Sequence, residues 1–113
     1  MVEIAEILAE RGSRYGKFTD HAFIAQLIKA AMSGDFHQIR ILIDGEDQEQ
    51  SARVRKALLA KWQALAADQR EALEMNAHKV ARILNGDPDY SDSWRDIAGY
   101  ATLVADRLDG KVV

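Results

Sequence analysis

The stretch Asp68-Gln69-Arg70-Glu71-Ala72-Leu73-Glu74-Met75-Asn76-Ala77-His78-Lys79-Val80-Ala81-Arg82-Ile83-Leu84-Asn85 decides the fold, together with Gly86-Asp87-Pro88-Asp89-Tyr90 and the segment Ser91–Asp109 that follows. Leu73, Ala77, Val80 and Leu84 recur at helical spacing, and Asp68-x-x-Glu71 reads as a capping box at the start. Asn85-Gly86 suits a left-handed cap, and Pro88 compels a turn. Beyond it, Trp94, Ile97, Ala101, Val104, Ala105 and Leu108 form a second apolar stripe. Two helices joined by so short a turn are antiparallel neighbours. Both stripes are expected to be core.

Working outward, Gln50–Leu65 reads as a helix with Val54, Leu58, Leu59 and Trp62 inward. The run His37–Ile43 alternates at period two, as a short strand or extended edge would, although a single helical turn fits so short a run as well. Thr19 and Asp20 are candidate caps for a helix to Met32, lined by Phe23, Ile24, Leu27, Ile28 and Met32. Arg11–Phe18, with two glycines and two aromatics, reads as a loop, and Val2–Glu10 as a short helix. The expected fold is all-α: a compact domain of four or five helices over 1–113, with a possible short extended segment near 37–43.

The chain has 113 residues, 48% hydrophobic and 29% charged, which suits one globular domain. It has no cysteine, which excludes disulfides, thiolate nucleophiles and cysteine zinc sites. A net charge of −3 argues against a whole-surface grip on nucleic acid and leaves room for a local basic patch. No apolar run approaches the ~20 residues of a membrane span, and Met1–Ile4 does not open like a secretion signal. A cytoplasmic protein is expected. P-loop, Gly-x-Gly-x-x-Gly, His-Glu-x-x-His and Gly-x-Ser-x-Gly motifs are all lacking.

Chemistry can reside on the polar faces. Glu71, Glu74, His78, Arg82 and Asn85 gather opposite the first stripe, with Lys79 at the margin. Glu74 and His78, four apart, can share a divalent metal, while Lys79 and Arg82 can hold phosphate oxygens. Asp92 and Asp96 are one turn apart and can converge on a hard cation such as Mg²⁺. The alternative is plainer: these are solvated faces, with Asp92 favoured by the helix dipole. Tyr15, in Arg14-Tyr15-Gly16-Lys17, can stack on a base or stand in an ordinary turn. His21 and His37 have no evident metal-ligand companions.

Arg11-Gly12, Tyr15-Gly16, Glu71-x-x-Glu74, His78-Lys79-x-x-Arg82 and Asp92-Ser93-Trp94-x-Asp96-x-x-Gly99-Tyr100 together resemble an uncharacterised family of small phage and prophage proteins. The likeness is close over Glu71–Leu108 and thinner over Ala5–Ile28, with 33–61 standing as an insertion. The same skeleton is weakly similar to the phage nucleotide-modification-associated helical domain and to MazG-like all-α nucleotide pyrophosphohydrolases. The MazG-like pattern pairs Glu-x-x-Glu with Glu-x-x-Asp, where this chain has Asp92-x-x-x-Asp96 in the second place.

The resemblance implies Mg²⁺-dependent hydrolysis of (d)NTPs to monophosphate and pyrophosphate. It assigns Glu74, Asp92 and Asp96 to the metal with Glu71 or His78 assisting, Lys79 and Arg82 to phosphate, and Tyr15 or Tyr100 to base or sugar. It also implies a helical homodimer. Two other functions fit the same residues: a non-catalytic protein that sequesters a nucleotide, including an immune signalling nucleotide, or a protein-binding inhibitor of a bacterial defence factor.

Overall fold

The computed structural model describes residues 3–15 and 17–112, without the side chains of residues 11–15. Among the described residues there are six helices and no strand: α1 (Ile4–Tyr15), α2 (Phe18–Ser33), α3 (Phe36–Asp44), α4 (Gln48–Ala64), α5 (Ala67–Asn85) and α6 (Ser91–Leu108). The all-α expectation holds. The chain divides into two compact units, Met1–Leu59 and Ala60–Val113, with α4 running through the division.

In the first unit, α2 ends at Gly34, whose φ of 78° is left-handed and costs a glycine little. Asp35 then caps α3, accepting the Gln38 N–H at 3.1 Å. The extended segment expected near 37–43 is therefore helical. Ile39 and Leu42, three apart, face inward while Ile41 and Ile43 are exposed, so burial follows a helical period and not the apparent period of two. Arg11–Tyr15 likewise continues α1 and is not a loop.

Asp47 caps α4 through the Gln50 N–H at 2.8 Å. Asp20 is no cap. Its carboxylate accepts from Arg53 at 2.8 Å and from Gln50 at 3.3 Å, tying α2 to α4. The buried apolar residues of this unit are Phe23, Ala30 and Val54.

In the second unit, α5 and α6 form the expected antiparallel pair. The α5 start is secured by the Gln69 side chain, which accepts the Ala66 N–H at 2.9 Å, so Glu71 is not the capping residue. Asp68 instead receives a bidentate fork from Arg107, Nε to Oδ2 at 2.8 Å and Nη2 to Oδ1 at 2.7 Å. At the other end, Asp87 accepts the Asp89 N–H at 2.9 Å and the Trp94 indole donates to the Pro88 carbonyl at 2.8 Å. Gly86 has φ −137°, so the cap is not the left-handed one its sequence suggests.

The seam between these helices follows the expected stripes only in part: on α5 it is turned by one residue, and on α6 it keeps Ile97 and Val104. Ala72 and Lys79 on α5 and Ser93 on α6 are the buried residues, with Met75, Asn76, Ile83, Ile97, Tyr100 and Val104 half-buried. Leu73, Leu84, Trp94 and Leu108 are each more than half exposed. A shift of one residue turns a helix face by about 100°, so Leu73, Leu84, Trp94 and Leu108 lie beside the seam. Ile97 and Val104 of the predicted α6 stripe do line it, and Val80 is half-buried at its edge.

Candidate functional site

The second unit holds a cleft of about 400 Å³ lined by Lys79, Arg82, Asp87, Tyr90, Asp92, Ser93 and Asp96. It forms where the last turns of α5 meet the first turns of α6, and the Gly86–Tyr90 turn folds over its end. Lys79 and Arg82, three apart on α5, face Asp92, Ser93 and Asp96 on α6. Its volume falls within the range of small-molecule sites.

Lys79 sits at the floor, its side chain only 11% exposed, with Nζ 2.8 Å from Asp96 Oδ2. An ammonium so far out of water needs a countercharge, and Asp96 supplies it. Arg82 is exposed and has no ion-pair partner among the described residues. Tyr90 donates its hydroxyl to Asp92 Oδ2 at 3.0 Å. That bond, with the nearby Asp92 charge, raises the Tyr90 phenol above its ordinary 10.0 and keeps it a protonated donor at neutral pH. The far Asp92 oxygen lies 3.6 Å from Arg95. The cleft thus sets two cations, Lys79 and Arg82, among three carboxylates, Asp87, Asp92 and Asp96, and the hydroxyls of Tyr90 and Ser93.

Of the residues singled out from the sequence, the cleft brings together Lys79, Arg82, Asp92 and Asp96. Glu71, Glu74 and His78 are exposed along α5 outside it, and Tyr100 is half-buried further along α6. The Tyr15 side chain lies outside the described residues. Asp87, Tyr90 and Ser93 were not singled out. Their signal was the brevity of the turn, which folds Asp87 and Tyr90 onto the helix ends, and the three-residue step Tyr90–Ser93–Asp96 that places them on one face.

For a divalent ion the donor set does not fit. Among the described residues no three His, Asp or Glu side chains are grouped to hold a metal. Of the four expected ligands, Glu74 and His78 lie outside the cleft. Asp96 is engaged by Lys79 and Asp92 by Tyr90. Ions of this kind want several unengaged oxygens.

Also among the described residues, no helix is long and apolar enough to cross a membrane. No curated protein and no solved structure matches the chain. A family model does: residues 2–108 match the domain of unknown function DUF6378, and the chain belongs to that family. The match includes 33–61, carries no activity with it, and does not link the chain to the phage nucleotide-modification or MazG-like families.

Proposed function

We propose that this DUF6378 member binds a nucleotide or nucleotide-derived small molecule in the α5–α6 cleft, without a resident metal. The observation that carries the reading is the mixed lining of the cleft: Lys79 and the exposed Arg82 share it with Asp87, Asp92, Asp96 and Tyr90. A phosphate is complementary to the two cations, Arg82 offering a planar fork and Lys79 a point charge. Ribose hydroxyls and the amino groups of a base are donors, which the carboxylates of the lining can accept. The Tyr90 ring adds a stacking surface. A bare polyanion fits worse, because three carboxylates outnumber two cations.

Binding uses a displaceable countercharge. Asp96 is nearly half exposed while Lys79 is buried, so a phosphate reaching Nζ can take over from a carboxylate already partly in water. The test is a thermal-shift and calorimetry series with nucleoside mono-, di- and triphosphates, once in EDTA and once in Mg²⁺. A ligand at a hundred times its Kd stabilises by about 2.7 kcal/mol, readily seen in a domain this small. The expected result is a shift that survives EDTA, lost in Arg82→Ala, with the nucleotide recovered intact. Release of monophosphate and pyrophosphate only with Mg²⁺ would establish the hydrolytic reading instead. No shift under either condition removes the cleft from consideration as a nucleotide site.

A further inference from the structure

The cleft has a floor and a rim, and all the residues that line it belong to the second unit. Lys79 and Ser93 are its buried members, 9% and 6% exposed, while Arg82, Asp87, Tyr90 and Asp92 are exposed. Lys79 has its countercharge in Asp96. Ser93 has nothing. Its backbone N–H reaches the Tyr90 carbonyl at 3.3 Å, but its hydroxyl makes no hydrogen bond among the described residues. A helical hydroxyl commonly settles on a carbonyl of the turn before it, as Thr102 does on Ala98 at 2.7 Å and Ser33 on Ala30 at 3.3 Å. Ser93 lies in the first turn of α6, with no helical turn before it. A buried hydroxyl left open in a cleft is a group waiting for a partner from outside the fold.

The surroundings say what that partner is. No side chain caps the first turn of α6, because Tyr90, in the capping position, sends its hydroxyl to Asp92. The positive end of an 18-residue helix therefore meets the cleft beside an open hydroxyl and a buried ammonium. Hydrogen-bond donors, a helix N-terminus and a cation together favour an oxyanion.

We propose that Ser93 seats a phosphate on the floor of the cleft, and that the cleft takes a single terminal phosphate. Resting on the nucleotide reading above, this makes the ligand a nucleoside monophosphate, not a di- or triphosphate. The Ser93 hydroxyl donates to a phosphate oxygen, and Lys79 receives the same phosphate as Asp96 lets go. Arg82 at the rim is the one other cation of the lining, and Asp87 and Asp92 stand beside it. One phosphate uses both cations. A second and a third would add negative charge against the rim carboxylates, and such like-charge contacts select against the longer chain.

The test is calorimetry in EDTA on the wild type and Ser93→Ala, with AMP, ADP, ATP, GMP, GDP, GTP and ribose 5-phosphate. Within each base the monophosphate is expected to bind tightest. Ser93→Ala is expected to weaken it about tenfold or more, the loss of a hydrogen bond to a charged group. Without ligand, the same variant should melt at or above the wild-type temperature, since it removes a hydroxyl that bonds nothing in the fold. A hydroxyl that served only the fold would give the reverse, a lower melting temperature with affinity intact, and that result overturns the proposal. A triphosphate bound more tightly than its monophosphate also overturns it. Nucleotides bound equally by Ser93→Ala and wild type remove the seat and leave the nucleotide reading standing. Ser93-dependent binding of ribose 5-phosphate, with no nucleotide bound, keeps the seat and removes that reading. Binding of none of these esters removes both.

Discussion

The two ion pairs that bridge α5 and α6 are built for different work. Asp68–Arg107 is a bidentate fork with both partners about 40% exposed, closing the end of the pair away from the turn. Lys79–Asp96 couples an almost buried ammonium to a half-exposed carboxylate inside the cleft. The first is geometrically complete, with both carboxylate oxygens and two guanidinium nitrogens engaged. The second is lopsided, its cation committed and its anion replaceable. Fastening two helices does not call for that asymmetry, whereas the ligand exchange proposed for the cleft would use it.

The largest effect that would sharpen this contrast is expected from Asp96→Ala, which strands Lys79 without a countercharge. It should cost about 1–3 kcal/mol in urea unfolding, below the range of a fully buried pair because Asp96 is partly solvated. Adding Lys79→Met should return most of that loss. An Asp96→Ala variant as stable as the wild type would break the comparison.

Next comes Asp68→Asn, expected to lower the melting temperature by roughly 2–5 °C at pH 7. The Arg107 guanidinium holds the Asp68 carboxyl below its ordinary 3.8. The folded chain therefore binds that proton less readily than the unfolded chain. The contribution is complete above about pH 4 and is lost as the pH falls through the depressed value. Wild type and variant should converge once the pH falls below that depressed value. Asp20, lowered by its bond from Arg53, adds to the same acid-side loss.

A smaller effect is spectroscopic. Of the three tyrosines, Tyr90 should ionise above 10, and Asp92→Asn should bring it back toward the ordinary value in an ultraviolet titration. Smallest of all is the stability change in Arg82→Ala, within about 0.5 kcal/mol for an exposed side chain without a partner. Its ligand affinity, by contrast, should fall at least tenfold. A large stability loss there would assign Arg82 to the fold and not to the cleft.

The paired helices were legible because apolar recurrence, the Asn85-Gly86 stop and Pro88 act locally and agree. Which face is buried was legible only in part, through Ile97 and Val104 on α6. Each helix carries two overlapping apolar faces, and the pattern cannot distinguish the seam used within the chain from one left exposed. Lys79 illustrates the point: it occupies the seam because Asp96 answers it from the other helix, a relation invisible in either helix alone. The same limit explains His37–Ile43, where alternation suggested extension until the Asp35 cap fixed the start of a helix. The cleft was half legible. Its cations and two of its carboxylates share helix faces, whereas Asp87 and Tyr90 join them only through the path of the turn.

The bond from Trp94 to the Pro88 carbonyl has an optical consequence. The indole is fastened to the backbone of the turn that forms the cleft's lip, between Asp87 and Asp89. Any molecule that draws the lip closed alters the polarity around that chromophore, whereas the other tryptophan, Trp62, is on α4. In a Trp62→Phe background, emission from Trp94 alone becomes a built-in reporter of occupancy, readable without a label.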